Sequence, residues 1–379
     1  MNVQKKIITT VASLLLTLLL FVGCSISNNS DSITTGEIGV LTDDFGAVLT
    51  ELSIEEFEDC GFELGDSIDV EFDNGYKLED IPYYNGYYAK SGTAIACGYP
   101  GYDYVVIAFA QGNSMWEESG AEDDTKIVVT LNEKGKYYSY FETFNMVYSN
   151  SRDDYDSDAE FANFRAIKGG NLKDNLFYRS ASPVDNSYNR AEYACELLKA
   201  NDIQYVMNLA DSQEEVDGFH SEQDCNTAYY DELIAKGKVF LMDLDNNYFS
   251  NEFKTQIASA LKMVCENDGT CLIHCMEGKD RTGFVSALIL ALADASYDEI
   301  VEDYMLTYEN FYGFNKESDS DKYDAVVSVK ADDMLYSIAG IDESESLESV
   351  SFVEGAKQYL RDGGLSEDDI SMILAAIQS

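Results

Sequence analysis

The stretch "GTCLIHCMEGKDRTGFVSALILALADA", starting at Gly269, constrains the fold more than any other. A short apolar run ends in His274-Cys275 and reads as a buried strand, because it lacks the alternation of a half-exposed one. Met276, Glu277, Gly278, Lys279 and Asp280 form a loop, and Arg281-Thr282-Gly283 opens a run apolar enough to be a buried helix. A strand turning straight into a helix requires an α/β arrangement. It also has chemical content. The loop directs backbone N–H groups inward, and the helix N-terminus adds partial positive charge, so the pair forms an anion cradle suited to a tetrahedral oxyanion. Gly278 supplies an unusual backbone angle. Arg281 can fork two oxygens and keeps its charge at any working pH. Cys275 stands at the base of the cradle. A thiol of ordinary pKa about 8.5 ionises more readily beside cations and a helix end. His274 is placed to orient the loop, and Thr282 to donate to the thiolate or help the sulfur leave.

The surrounding pattern, residues 161–379, is α/β. Helical periodicity in "YNRAEYACELLKAND", "DCNTAYYDELIAKG", "NEFKTQIASALKMVCEND", "YDEIVEDYMLTYENFY" and a final helical pair alternates with buried strands in "IQYVMNLA", "KVFLMDL" and "TCLIHC". This predicts a mostly parallel sheet flanked by helices, with functional loops beyond the strand C-termini. Asp243 and Asp245, ending "KVFLMDL", are candidate general acids. Asp280 inside the loop is the competing candidate, favoured because the loop holds it.

Residues 37–149 differ in texture. "SIDVEFDNG", "YVVIAFAQG" and "TKIVVTLNEKGKYYSYF" are β-rich runs bounded by turn signals, with a short helix in "SIEEFEDCGF". They predict a small β-rich domain, with a barrel as the candidate fold. Residues 150–160, "NSRDDYDSDAE", are polar and read as a linker.

The chain carries 70 acidic against 25 basic residues, a formal charge of -45, which excludes general affinity for nucleic acid or anionic membrane. With two histidines a histidine-rich metal centre is excluded. "DLDNNYFSNEF" has Tyr248 and Lys254 where a calcium loop needs glycine and glutamate, so no metal site is assigned. Eight cysteines include no Cys-x-x-Cys pair. At the N-terminus, Lys5 and Lys6 precede the apolar residues 11–22 and then Gly23-Cys24. This end resembles the lipobox of bacterial lipoproteins, with Phe21 where leucine is usual. The resemblance implies a signal peptide at 1–23, lipidation at Cys24, a tether at 24–36 and attachment to the outer face of the bacterial cell membrane.

"HCMEGKDRTG" resembles the His-Cys-x5-Arg signature of cysteine-dependent tyrosine and dual-specificity phosphatases. Its Gly-Lys-Asp-Arg-Thr-Gly core is similar to the atypical bacterial branch. "NFRAIKGGNLKDNLFYRSASP", "YVMNLADSQEE" and "QYLRDGGLSEDDISMI" extend the likeness over residues 159–377. Ala166 replaces an expected Asp, and Asn208-Leu209-Ala210 an expected Asp-Leu-Arg. The resemblance implies a protein tyrosine phosphatase-like fold and a phosphocysteine intermediate without a cofactor. It further implies a phosphorylated protein, lipid or inositol substrate, with Arg165 and Arg179 supporting the loop or facing phosphate. Two other readings stay open: a phosphate-binding module without turnover, and a rhodanese-like sulfurtransferase. "TDDFGAVLTEL", "FELGDSIDV" and "VIAFAQGNSMWEESG" resemble the C-terminal β-barrel of SAM-dependent halogenases and adenosyltransferases, which implies a barrel and no halogenase activity.

Overall fold

The computed structural model describes residues 33–379 except 44, 90, 91, 111, 112, 268 and 343. The expected signal peptide, Cys24 and most of the expected tether lie outside the described residues. The described residues divide into two compact units, which part between Phe141 and Glu142.

The first unit is a closed barrel in the order β1-β2-β6-β5-β4-β3-β7. Its strands are β1 (Ile38–Thr42), β2 (Val48–Ser53), β3 (Ser67–Phe72), β4 (Lys77–Tyr84), β5 (Ala94–Cys97), β6 (Tyr104–Phe109) and β7 (Lys126–Glu133). Alternation decides which side chains enter: Ile68, Val70 and Phe72 from β3 and Ile127 and Val129 from β7 fill one core. The pairing is antiparallel except between β4 and β5. The expected short helix forms at Ile54–Asp59, closed by a capping box between Ser53 and Glu56. It brings Phe57 onto Phe62, rings stacked at 4.2 Å. Residues 33–35, expected in the tether, instead run along β7. Thr35 N donates to Val129 O at 2.9 Å and Leu131 N to Ile33 O at 2.8 Å.

The second unit holds a five-stranded sheet in the order β11-β10-β12-β9-β8. These strands are β8 (Arg165–Ala166), β9 (Phe177–Ser180), β10 (Tyr205–Asn208), β11 (Val239–Leu241) and β12 (Cys271–His274). β11, β10, β12 and β9 pair in parallel, while β8 lies antiparallel to β9, so the sheet is mixed. β8 and β9 are joined by residues 167–176 without a crossover helix, which suits the antiparallel edge. Along β12, Cys271 and Ile273 face one helical layer and Leu272 the other. The helix Asp280–Leu292 is buried at every residue from Thr282 onward, as its uniform apolarity demands.

Residues 150–160 are not a linker. They form a 3-10 turn at Arg152–Asp154 and a short helix at Asp158–Phe161, and Tyr155 is buried. The cause is Arg190, a buried cation. Its guanidinium donates to Asn150 Oδ1 at 2.6 Å, Ser149 O at 2.9 Å, Tyr155 OH at 3.1 Å and Phe161 O at 2.8 Å. It also lies 4.6 to 5.7 Å from the ring centres of Tyr148, Tyr155, Phe161 and Phe311. The polar composition that suggested a linker supplies the acceptors that this arginine needs.

Candidate active site

β12 delivers His274 and Cys275 to the C-terminal edge of the sheet, where residues 276–279 turn into the helix Asp280–Leu292. Parallel neighbours on both sides fix that edge. His274 aligns with Asn208 of β10 and Ser180 of β9. Gly278 has φ +68°, and a Cβ there would stand 2.2 Å from Ser180 O, so both conformation and space require glycine. Ser182 N donates to Met276 O at 3.0 Å and pins the other limb of the turn.

The backbone donors of this turn are unpaired. Among the described residues, no protein group accepts from the backbone N–H groups of Met276 through Thr282; the first such bond is Gly283 N to Lys279 O at 2.7 Å. Cys275 is 4% exposed at the base of this array. Arg281 donates through Nη1 to Leu244 O at 2.7 Å, which holds it against the loop after β11. Thr282 Oγ1 is buried with no hydrogen-bond partner.

His274 is fully buried beside Tyr230, ring centres 6.0 Å apart. Burial, which outweighs the Cys275 carbonyl and is reinforced by Arg281, lowers its pKa to about 3, so the imidazole is neutral. Its Nδ1 lies 3.3 Å from Cys275 O.

Arg165 and Arg179 brace the loop from behind. Arg179 is fully buried, donating to Gly278 O at 2.8 Å and pairing with Asp303 Oδ2 at 2.6 Å. Arg165 shares Asp303 at 3.5 Å and donates to Asn163 Oδ1 at 2.6 Å. Asn163 Nδ2 in turn donates to Gly278 O at 3.2 Å. Both arginines are thus committed to loop carbonyls, their neighbours and a carboxylate rather than to the inner face. Asp303 and Asn163 escaped sequence reasoning. The signal for Asp303 was an acid on the apolar side of "IVEDYMLTYENFY".

The candidate acids are spread around the site. Asp280 is half-exposed at the helix start, 4.0 Å from Lys279 Nζ. Asp243 and Asp245 are exposed on the loop that holds Arg281; Asp243 has φ +46° and Asp245 accepts from Asn247 N at 2.8 Å. Asp211, not singled out from sequence, is buried where β10 ends and accepts from Asn208 Nδ2 at 2.9 Å. Burial lifts its pKa to about 6, with Asp185 and Glu215 adding to the rise and Asn208 and Arg281 opposing it.

The sequence pattern of the tyrosine phosphatase family matches residues 159–377, more than half of this chain. The chain belongs to the tyrosine phosphatase family. A tyrosine-protein phosphatase of Nostoc commune is 40% identical over 58 residues, 15% of this chain and 20% of that protein. The match thus spans about one fifth of that relative's length. Among solved structures, the core catalytic domain of the PP-IP phosphatase SIW14 from S. cerevisiae is 20% identical, covering 46% of this chain and 94% of that one, with TM-score 0.27. P. aeruginosa TpbA in complex with pTyr is 16% identical, covering 45% and 92%, with TM-score 0.26. The family match encloses the whole loop from His274 to Thr282.

Proposed function

We propose that the domain hydrolyses phosphate monoesters through a phosphocysteine intermediate. The observation that carries this reading is the run of unpartnered amides from Met276 to Thr282 directly after Cys275, with Arg281 in the same turn. Cys275 Sγ attacks phosphorus, the S–P bond forms and the ester P–O bond breaks. The loop amides and Arg281 take the charge that develops on the equatorial oxygens. Asp280 gives its proton to the leaving oxygen and then takes one from the attacking water, whose oxygen displaces the sulfur as phosphate departs. Thr282 Oγ1, lacking a protein partner, is free to donate to the departing thiolate. Asp243 and Asp245 are the alternative acids. Substrates are phosphotyrosine-type or inositol-phosphate esters. The N-terminal pattern at Cys24 supports lipid anchoring on the extracytoplasmic face.

The test is steady-state turnover of 4-nitrophenyl phosphate and phenyl phosphate. Cys275→Ser should abolish both. Asp280→Asn should slow the poorer leaving group by about 10²-fold or more and the better one far less. If Asp245→Asn or Asp243→Asn shows that split instead, the proton comes from the loop after β11. Equal inertness of wild type and Cys275→Ser would favour a binding module.

A further inference from the structure

The rim of the cradle contains a connection that the family match does not cover. Tyr148 lies before residue 159, where the match begins. Its hydroxyl donates to Glu277 Oε1. The other oxygen of that carboxylate, Oε2, is 3.1 Å from Lys279 Nζ, and Asp280 Oδ2 is 4.0 Å from the same ammonium. Tyr148 is itself locked, its ring stacked on Phe311 at 4.8 Å and edge-on to Tyr312 at 5.6 Å. The Arg190 guanidinium sits 4.9 Å from its centre.

Resting on the phosphatase reading, we infer that Tyr148, Glu277 and Lys279 act as a specificity filter, in which an anchored carboxylate cancels the loop lysine and turns the site toward singly phosphorylated aryl esters and away from polyphosphorylated inositols. Taken alone, a lysine in the cradle favours substrates with several phosphates. Here the ammonium is already paired with the Glu277 carboxylate, so a second phosphate approaching the rim meets a neutralised cation with a carboxylate beside it. Repulsion between like charges at contact lowers affinity even where screening erases longer-range fields.

The protonation states agree. Burial alone would lower the Lys279 pKa, but Asp280 and Glu277 outweigh it and hold the ammonium charged. Burial and the Glu277 carboxylate push the Tyr148 phenol far above its usual range, so it remains a donor. Tyr148 is therefore a positioning residue: it fixes Glu277, which neutralises Lys279.

The test uses the full chain carrying Cys275→Ser, titrated by calorimetry with inorganic phosphate and with inositol hexakisphosphate at fixed ionic strength. Glu277→Gln should raise the hexakisphosphate-to-phosphate affinity ratio about tenfold, or about 1.4 kcal/mol. Tyr148→Phe keeps the stacked ring and removes only the donor. It should shift the ratio the same way by about threefold, because an unanchored carboxylate swings into solvent. Unchanged ratios in both variants, or equal loss of both ligands, overturn the inference. A shift in Glu277→Gln alone overturns the role of Tyr148. An active-site cysteine form inert toward every phosphomonoester sinks the phosphatase reading instead, and the binding ratios still decide this one.

Discussion

At the scale of single residues, the site depends on which groups are denied their usual solvent. His274 is neutral because it is buried, and this has a sign that can be checked. The unfolded chain takes up a proton near pH 6.5, whereas the folded chain resists until about pH 3. The contribution of His274 to stability is therefore complete above pH 6.5 and lost as pH falls toward 3. The ceiling is about 5 kcal/mol, at 1.36 kcal/mol per unit. Urea unfolding at pH 7 and pH 5 should show a fall in stability that shrinks in His274→Asn. Arg179 and Asp303 represent the opposite case, a charged pair kept buried because each satisfies the other and the arginine also holds the loop carbonyls. Sequence reasoning ranked Arg165 and Arg179 as supporting or phosphate-facing. Only the geometry of Asp303, 124 residues away from Arg179, separates the two.

At the scale of elements, the strand–loop–helix around Cys275 was legible because its pattern is local. β12, the turn at Gly278 and the helix Asp280–Leu292 all follow from adjacent residues. What stayed hidden is non-local or short. β8 has two residues and β9 four, too few for periodicity to show. The helix Gln213–Glu222 begins with a Ser212–Glu215 capping box, a signal present in the sequence but drowned by its polar face. The turn makes a sharp prediction. Gly278→Ala forces a side chain into a left-handed conformation and onto Ser180 O. Turnover of 4-nitrophenyl phosphate should drop at least about 10²-fold, since displacing the donors by about 1 Å has that effect. Circular dichroism should remain that of a folded protein.

At the scale of the whole molecule, each unit has its own apolar core, one inside the barrel and one on either face of the mixed sheet. The edge of the second unit does not coincide with the edge of family resemblance. Contacts place it near residue 142, the family pattern at 159. A chain beginning at 159 loses three acceptors of the buried Arg190, namely Asn150 Oδ1, Ser149 O and Tyr155 OH. Leaving a buried cation short of partners costs about 3–5 kcal/mol, or roughly 10 °C in Tm for a domain of this size. Differential scanning calorimetry of chains beginning at 142 and at 159 measures that gap; equal midpoints would refute it. The enclosed guanidinium also governs how this end comes apart. Arginine has no neutral form to retreat to, so the strap over it cannot fray alone without stranding an ion among aromatic rings. Amide hydrogen exchange in residues 152–161 should thus follow the global opening that melts the sheet, with none of the rapid exchange usual for a domain's first turn.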